Sequence, residues 1–162
     1  MTFAMAEELM IAHQGGKDDK YALLYAQIKS VTEGEDDLIA NMANVAAMIH
    51  ETFGFWWTGF YRVIGKELVL GPFQGPLACS RIPFGKGVCG TAWKNAETVI
   101  VPDVNAFPGH IACSSASKSE IVVPVFGADG ASIVAVLDID SASYATFDEV
   151  DRIWLERIVS MM

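Results

Sequence analysis

No cluster of basic residues, no apolar run long enough to span a bilayer and no closely spaced pair of cysteines occurs in the 162-residue sequence. Eleven Lys+Arg stand against twenty Asp+Glu, a formal charge of -9. Neutralising phosphates takes clustered Lys and Arg, so nucleic acid is not an expected partner. Apolar runs such as Ile133–Leu137 fall far short of the roughly 20 residues of a spanning helix, so no membrane insertion is expected. Glu7 and Glu8 stand where a secretory leader is cationic, and a cytoplasmic location follows as the expectation. Cys79, Cys89 and Cys113 lie 10 and 24 residues apart, outside any CxxC or CxxH pair. A structural zinc, and metal in general, is therefore not expected, and an odd count argues against a secreted disulfide framework.

What is present is apolar content: 52% of residues are hydrophobic and 19% charged. That favours a folded chain over a disordered one, and the length suits one domain. Residues 1–17 lack a sustained period and read as a flexible N-terminal arm, leaving 18–162 as the domain. Asp18-Asp19 suits a helix start, and Tyr21, Leu24, Tyr25, Ile28 and Val31 recur at helical spacing until Gly34. A second helix opens at Glu35-Asp36-Asp37, with Leu38, Met42, Val45 and Ile49 on one face and a stop near Gly54. From Phe55 the period becomes two. Strands are expected at Phe55–Ile64, Glu67–Leu70, Leu77–Ile82, Thr98–Val101, Glu120–Phe126 and Ala131–Asp140. A short helix is expected at Gly90–Asn95, and a last one from Phe147 burying Val150, Ile153, Trp154 and Ile158. Pro124 within a strand pattern implies an edge or a bulge. Short hairpin links predict an α+β fold: a six-stranded antiparallel sheet with the N- and C-terminal helices packed on one face.

Three groups of residues could carry chemistry. Trp57 and Tyr61 share a strand face with Gly59 between them, which makes either a packed aromatic layer or a wall for a small apolar or cationic group. Asp138 and Asp140 share another strand face, and the hairpin register brings Glu120 beside them. Three converging carboxyls suit a ligand cation or acid catalysis, because mutual repulsion in a desolvated site favours keeping one protonated; a solvated strand end is the alternative. The irregular segment Pro102–Ser117 contains Gly109-His110-Ile111-Ala112-Cys113-Ser114-Ser115, small and polar enough to wrap a ligand with backbone N–H groups. Cys113 in that loop is expected to be more accessible than Cys79 or Cys89. His110 is either a helper that lowers the thiol pKa or an ordinary loop histidine. Inert core thiols remain the competing reading of all three cysteines.

Leu70-Gly71-Pro72-Phe73-Gln74-Gly75, Gly85-Lys86-Gly87-Val88-Cys89-Gly90-Thr91-Ala92, Gly109-His110-Ile111-Ala112-Cys113, Ser119-Glu120-Ile121-Val122-Val123-Pro124 and Val136-Leu137-Asp138-Ile139-Asp140-Ser141 together resemble the free methionine-(R)-sulfoxide reductases. These are stand-alone GAF-domain enzymes that act on the unbound amino acid. The resemblance runs from about residue 19 to 160 and implies a single GAF domain. It implies that Cys113 attacks the sulfoxide sulfur and becomes a sulfenic acid, that Cys79 is the main resolving thiol with Cys89 auxiliary or alternative, and that thioredoxin reduces the resulting disulfide. No bound cofactor is implied. Glu120, Asp138 and Asp140 would bind the substrate ammonium and the sulfoxide oxygen, Trp57 and Tyr61 the methyl end. Backbone N–H groups across Ile111–Ser115, including those of Ile111, Ser114 and Ser115, would take the carboxylate. Two departures stand out: Ser114 where many relatives carry an acid, and the doubled Trp56-Trp57, of which strand parity with Tyr61 selects Trp57. Domains of this kind often pair through their terminal helices, so a homodimer is an allowed assembly. The alternative function is a non-catalytic small-ligand sensor, which the absence of an attached signalling domain disfavours.

Overall fold

The computed structural model describes residues 8–162, so the part of the expected arm at 1–7 lies outside the described residues. Residues 8–16 have no regular structure, but Leu9 packs against the core and the Gln27 side-chain amide both accepts from the Met10 N–H (2.7 Å) and donates to its carbonyl (2.8 Å). Helix α1 spans Lys17–Thr32. The Asp19 carboxylate accepts the Gly16 N–H at 2.9 Å, one of the donors a helix start leaves free. Tyr21, Leu24 and Ile28 are buried as the stripe predicts, but Val31 is 45% exposed. Thr32 takes the inward place, its hydroxyl donating to the Ile28 carbonyl. Helix α2, Leu38–Phe53, is capped by Asp37, which accepts the Ala40 N–H, and closes at Gly54 in the left-handed region (φ 66°).

The sheet is antiparallel, with six strands: β1 Trp57–Ile64, β2 Glu67–Gln74, β3 Arg81–Pro83, β4 Val99–Val101, β5 Ser119–Phe126 and β6 Ile133–Ser141, in the order β3-β2-β1-β6-β5-β4. Strand β2 runs four residues beyond its expected end because a register shift between Gly59 and Tyr61 lets Phe73 and Gln74 pair again with β1. The strand expected at Leu77–Ile82 is reduced to β3. Pro76 lacks a ladder donor, Gly75 turns the chain (φ 124°), and Leu77 is 89% exposed, so the apolar pattern there is a surface loop and not a buried strand. Cys79 is accordingly freed from the ladder. Pro124 lies beyond the part of β5 that short β4 covers, with a bulge just after it at Val125/Phe126. That edge position is where a residue without an N–H fits.

Helices α1, α2 and α4 (Glu149–Val159) bury one sheet face through Phe60, Ile121, Val123, Leu137 and Ile139. Ile153, expected inward on α4, is 51% exposed, and Leu155 is buried instead. The reason is Asp151, almost fully buried one turn before Leu155. It accepts from the Tyr21 hydroxyl (2.7 Å) and from Lys17 Nζ (2.6 Å), tying α4 to α1 and setting the helix rotation. The other sheet face is covered by α3 (Gly87–Asn95) and the segment 102–118, over a separate cluster that includes Trp57, Tyr61, Val88, Val122 and Val136. Helix α3 starts three residues before its expected position because Gly87 adopts a positive φ (62°), with Ile111 packed against it where a Cβ would meet Cγ1 at 3.1 Å. Among the described residues no helix is long and apolar enough to cross a membrane.

Candidate active site

Alternation along three neighbouring strands assembles the site. On the face under α3, β1 presents Trp57, Gly59 and Tyr61; β6 presents Val136, Asp138 and Asp140; β5 presents Glu120 and Val122. Gly59 pairs with Asp138, Trp57 with Asp140, and Glu120 with Asp140. The three acids predicted to converge do so, on the floor of one cleft that Trp57, Tyr61, Cys89, His110, Ile111, Cys113 and Ser114 also line.

The acids are not solvated. Glu120 and Asp138 are each 6% exposed, and Asp138 Oδ1 has no hydrogen-bond partner. Burial, reinforced by the neighbouring carboxylates, holds both carboxyls well above their usual range. Asp140 is pushed up to about 6 by burial, opposed by the Ser117 hydroxyl that donates to it at 2.5 Å. Ser117 was not foreseen; no sequence signal separates it from Ser114 and Ser115. Among the described residues, no Lys or Arg forms an ion pair with these acids, although Lys86 lines the same cleft, and His110 Nε2 lies 3.9 Å from Glu120 Oε2. Burial holds that imidazole below its ordinary pKa, so it is neutral near pH 7.

The cysteines divide two and one. Cys79 and Cys113 form a disulfide beside the cleft, which Cys113 lines, with Cα atoms 5.5 Å apart and a separation of 34 residues in sequence. Both are half-buried, and Cys113 is more open than the buried Cys89. Cys89, early in α3, is a free, buried thiol whose S–H donates to Glu120 Oε1 at 3.9 Å. Burial and the facing carboxylates push its pKa well up, which makes it a poor attacking thiol. Cys89 Sγ, Glu120 and Asp138 bring ligand atoms within 4.8 Å of one another.

The aromatic pair is a packed wall that also positions the disulfide. Trp57 stacks on Tyr61 (centroids 5.9 Å) and on Phe73 (5.3 Å). The Tyr61 hydroxyl donates to the Cys79 carbonyl at 3.0 Å, and the Trp57 indole N–H to that of Pro76 at 3.1 Å. Both polar ends thus hold the 76–79 loop, which the sequence did not indicate. The notch at Gly59 is filled by the Trp57 ring: an added Cβ would meet its Cη2 at 2.6 Å. Gly59→Ala is expected to cost about 1–3 kcal/mol in urea unfolding and to raise KM by displacing the indole. An unchanged KM and midpoint would show the wall to be compliant.

The loop above the acids is internally bonded. The Cys113 N–H donates to the Ile111 carbonyl at 3.1 Å, and the Ser114 hydroxyl accepts from the Trp56 indole and from the Ala116 N–H, both at 3.2 Å. Trp56 is thus outside the cleft wall and braces the loop. Ser115 is exposed and does not line the cleft.

A curled antiparallel sheet with helices on one face and a loop-covered cleft of buried acids on the other defines a GAF-domain protein, and the family model described as GAF domain matches residues 32–162. The chain is 52% identical over 159 residues to GAF domain-containing protein A of Dictyostelium discoideum, covering 98% of this chain and 99% of that one. It is 42% identical over 147 residues (90% and 88%) to free methionine-R-sulfoxide reductase of Escherichia coli. The free methionine-R-sulfoxide reductase from Neisseria meningitidis, in complex with its substrate, superposes with a TM-score of 0.91 at 51% identity, covering 95% of this chain and 92% of that one. The chain belongs to the free methionine-R-sulfoxide reductases, and it is an oxidoreductase of that kind.

Proposed function

We propose that this reductase acts on free L-methionine-(R)-S-oxide by a thiol–disulfide cycle. The observation that carries the reading is the Cys79–Cys113 bond beside a cleft floored by carboxyls whose pKa values burial raises. In the reduced protein the Cys113 thiolate attacks the sulfoxide sulfur. A carboxylic acid on the floor donates its proton to the sulfoxide oxygen, which leaves the methionine sulfur as hydroxide and bonds to the Cys113 sulfur while the bond between the two sulfurs breaks, its electron pair staying on methionine. Methionine is released and Cys113 is left as sulfenic acid. The Cys79 thiol then attacks the Cys113 sulfur, forming the disulfide and releasing water. A dithiol reductant, thioredoxin, restores both thiols and is itself oxidised to its disulfide. Electrons enter and leave as thiols, so the cycle calls for no bound organic cofactor.

Substrate selection follows from the same walls. The ammonium group finds Glu120, Asp138 and Asp140 without a competing Lys or Arg salt bridge. The methyl end meets the Trp57–Tyr61 stack. The carboxylate is taken by the backbone N–H groups of Ile111 and Ser114, which line the cleft, the Cys113 amide being bound to Ile111. A peptide would bring neutral amides in place of both charged ends. The test is NADPH consumption with thioredoxin and thioredoxin reductase, offering free R-sulfoxide, free S-sulfoxide and a sulfoxide-containing peptide. Turnover of the free R epimer alone is expected. Comparable turnover of the S epimer or the peptide overturns the assignment, and thermal stabilisation without any turnover points to a sensor.

A further inference from the structure

The mechanism leaves Cys89 without a covalent role, and its surroundings suit a different task. Its sulfur, a Glu120 oxygen and an Asp138 oxygen lie within 4.8 Å of one another, and all three residues are buried. A second observation points the same way: Asp138 Oδ1, in a side chain 6% exposed, has no partner. A buried carboxylate oxygen left unpaired costs free energy that a cation would recover. His110 approaches Glu120 from the loop above, its Nε2 3.9 Å from Glu120 Oε2, but it stands outside the group of three whose ligand atoms share the 4.8 Å separation.

We propose that Cys89, Glu120 and Asp138 form a binding site for a borderline, thiophilic divalent cation of the Zn²⁺ type, with water as fourth ligand. One thiolate and two carboxylates completed by water are ligands that Zn²⁺ takes in tetrahedral geometry, and hard cations such as Mg²⁺ are excluded by the sulfur. Bonds of 2.0–2.3 Å would draw ligand atoms to roughly 3.5 Å apart, side-chain movements of about 1 Å from the separations seen here. The Cys89 proton, and any proton on the two carboxyls, is released to solvent on binding. The ion would stand where the reductase reading places the substrate ammonium. It therefore excludes substrate, and that part of the inference rests on the proposed function; the metal site itself does not.

The disulfide form of the protein isolates the question. With Cys79 and Cys113 bonded to each other, Cys89 is the sole thiol in the sequence, so a thiolate-to-cobalt charge-transfer band in the near ultraviolet reports Cys89 and nothing else. Titration of the oxidised protein with Co²⁺ is expected to produce that band, saturating at one equivalent. Zn²⁺ should abolish it, since it binds such sites more tightly than Co²⁺. Cys89→Ser should lack the band, and Asp138→Asn, which keeps the thiol and the shape, should weaken cobalt binding at least about tenfold. No band, or a band whose affinity Asp138→Asn leaves unchanged, overturns the site. Reductase turnover, measured separately without metal, is unaffected by either outcome, so failure of the metal site and failure of the catalytic reading are told apart.

Discussion

Cys113→Ser is expected to reduce methionine sulfoxide turnover by at least about a thousandfold, to the background of the coupled assay. A serine hydroxyl is neither ionised near neutral pH nor able to carry the oxygen as a sulfenic acid, so both the attack and the intermediate are lost. Cys79→Ser is expected to behave differently. The first transfer needs only Cys113, so a rapid-quench measurement should find a burst of about one methionine per chain, followed by turnover slower by about two orders of magnitude or more. Cys89 would be the replacement resolver if any thiol were. It is buried, donates its proton to Glu120, and is held protonated, so rescue through it should be slight. Steady turnover by Cys79→Ser near the wild-type rate would move the resolving role to Cys89. An active Cys113→Ser protein would remove the nucleophile from the scheme altogether.

Strand periodicity made the floor of this site legible before the fold. Glu120, Asp138 and Asp140 alternate with apolar residues on two strands joined by a short hairpin, and period-two alternation leaves no freedom in which face they share. Trp57 and Tyr61 follow by the same parity. What escaped the reading lies where no period operates. Leu77–Ile82 carries an apolar pattern that suggests a strand, yet the turn at Gly75 and Pro76 leaves residues 77–80 outside any strand, and this carries the Cys79 carbonyl to the Tyr61 hydroxyl. Ser117 and Trp56 act through contacts fixed by loop conformation, to Asp140 and Ser114 respectively, which composition does not encode. On α4 Val150, Trp154 and Ile158 face the core as expected and only Ile153 does not: a buried carboxylate, Asp151, takes an inward place because Tyr21 and Lys17 both reach it. A scale that sends every acid outward cannot anticipate an acid whose partners come from another helix.

Asp138→Asn is expected to make the protein more stable and less active, and the two effects share one cause. In the folded chain the Asp138, Glu120 and Asp140 carboxyls bind protons more tightly than in the unfolded chain. Where the folded state holds more protons, stability falls as pH rises. The contribution of Asp140 is complete below its ordinary value near 3.8 and lost as pH passes about 6. That of Glu120 and Asp138 continues to fall at higher pH. His50 and His110, lowered by burial, act with the opposite sign, adding stability as pH rises toward 6.5, and they are neutral in both states above it. Above about pH 7 the histidines no longer contribute, and Glu120 and Asp138, joined by the raised Cys89 thiol as pH nears 9.0, all act with the same sign, so the thermal midpoint of the ligand-free protein should fall as pH rises. Asparagine at 138 removes a buried charge at constant volume, so the midpoint should rise at pH 8, by about 1–3 kcal/mol in unfolding free energy, and the slope should flatten. The same change removes a carboxyl that can donate a proton to the oxygen of the substrate, and kcat/KM should fall by about a hundredfold or more. Stability that fell with Asp138→Asn would mean that the carboxylate is satisfied in the ligand-free protein. Activity that persisted would assign proton donation to Glu120, whose Gln variant should then show the loss.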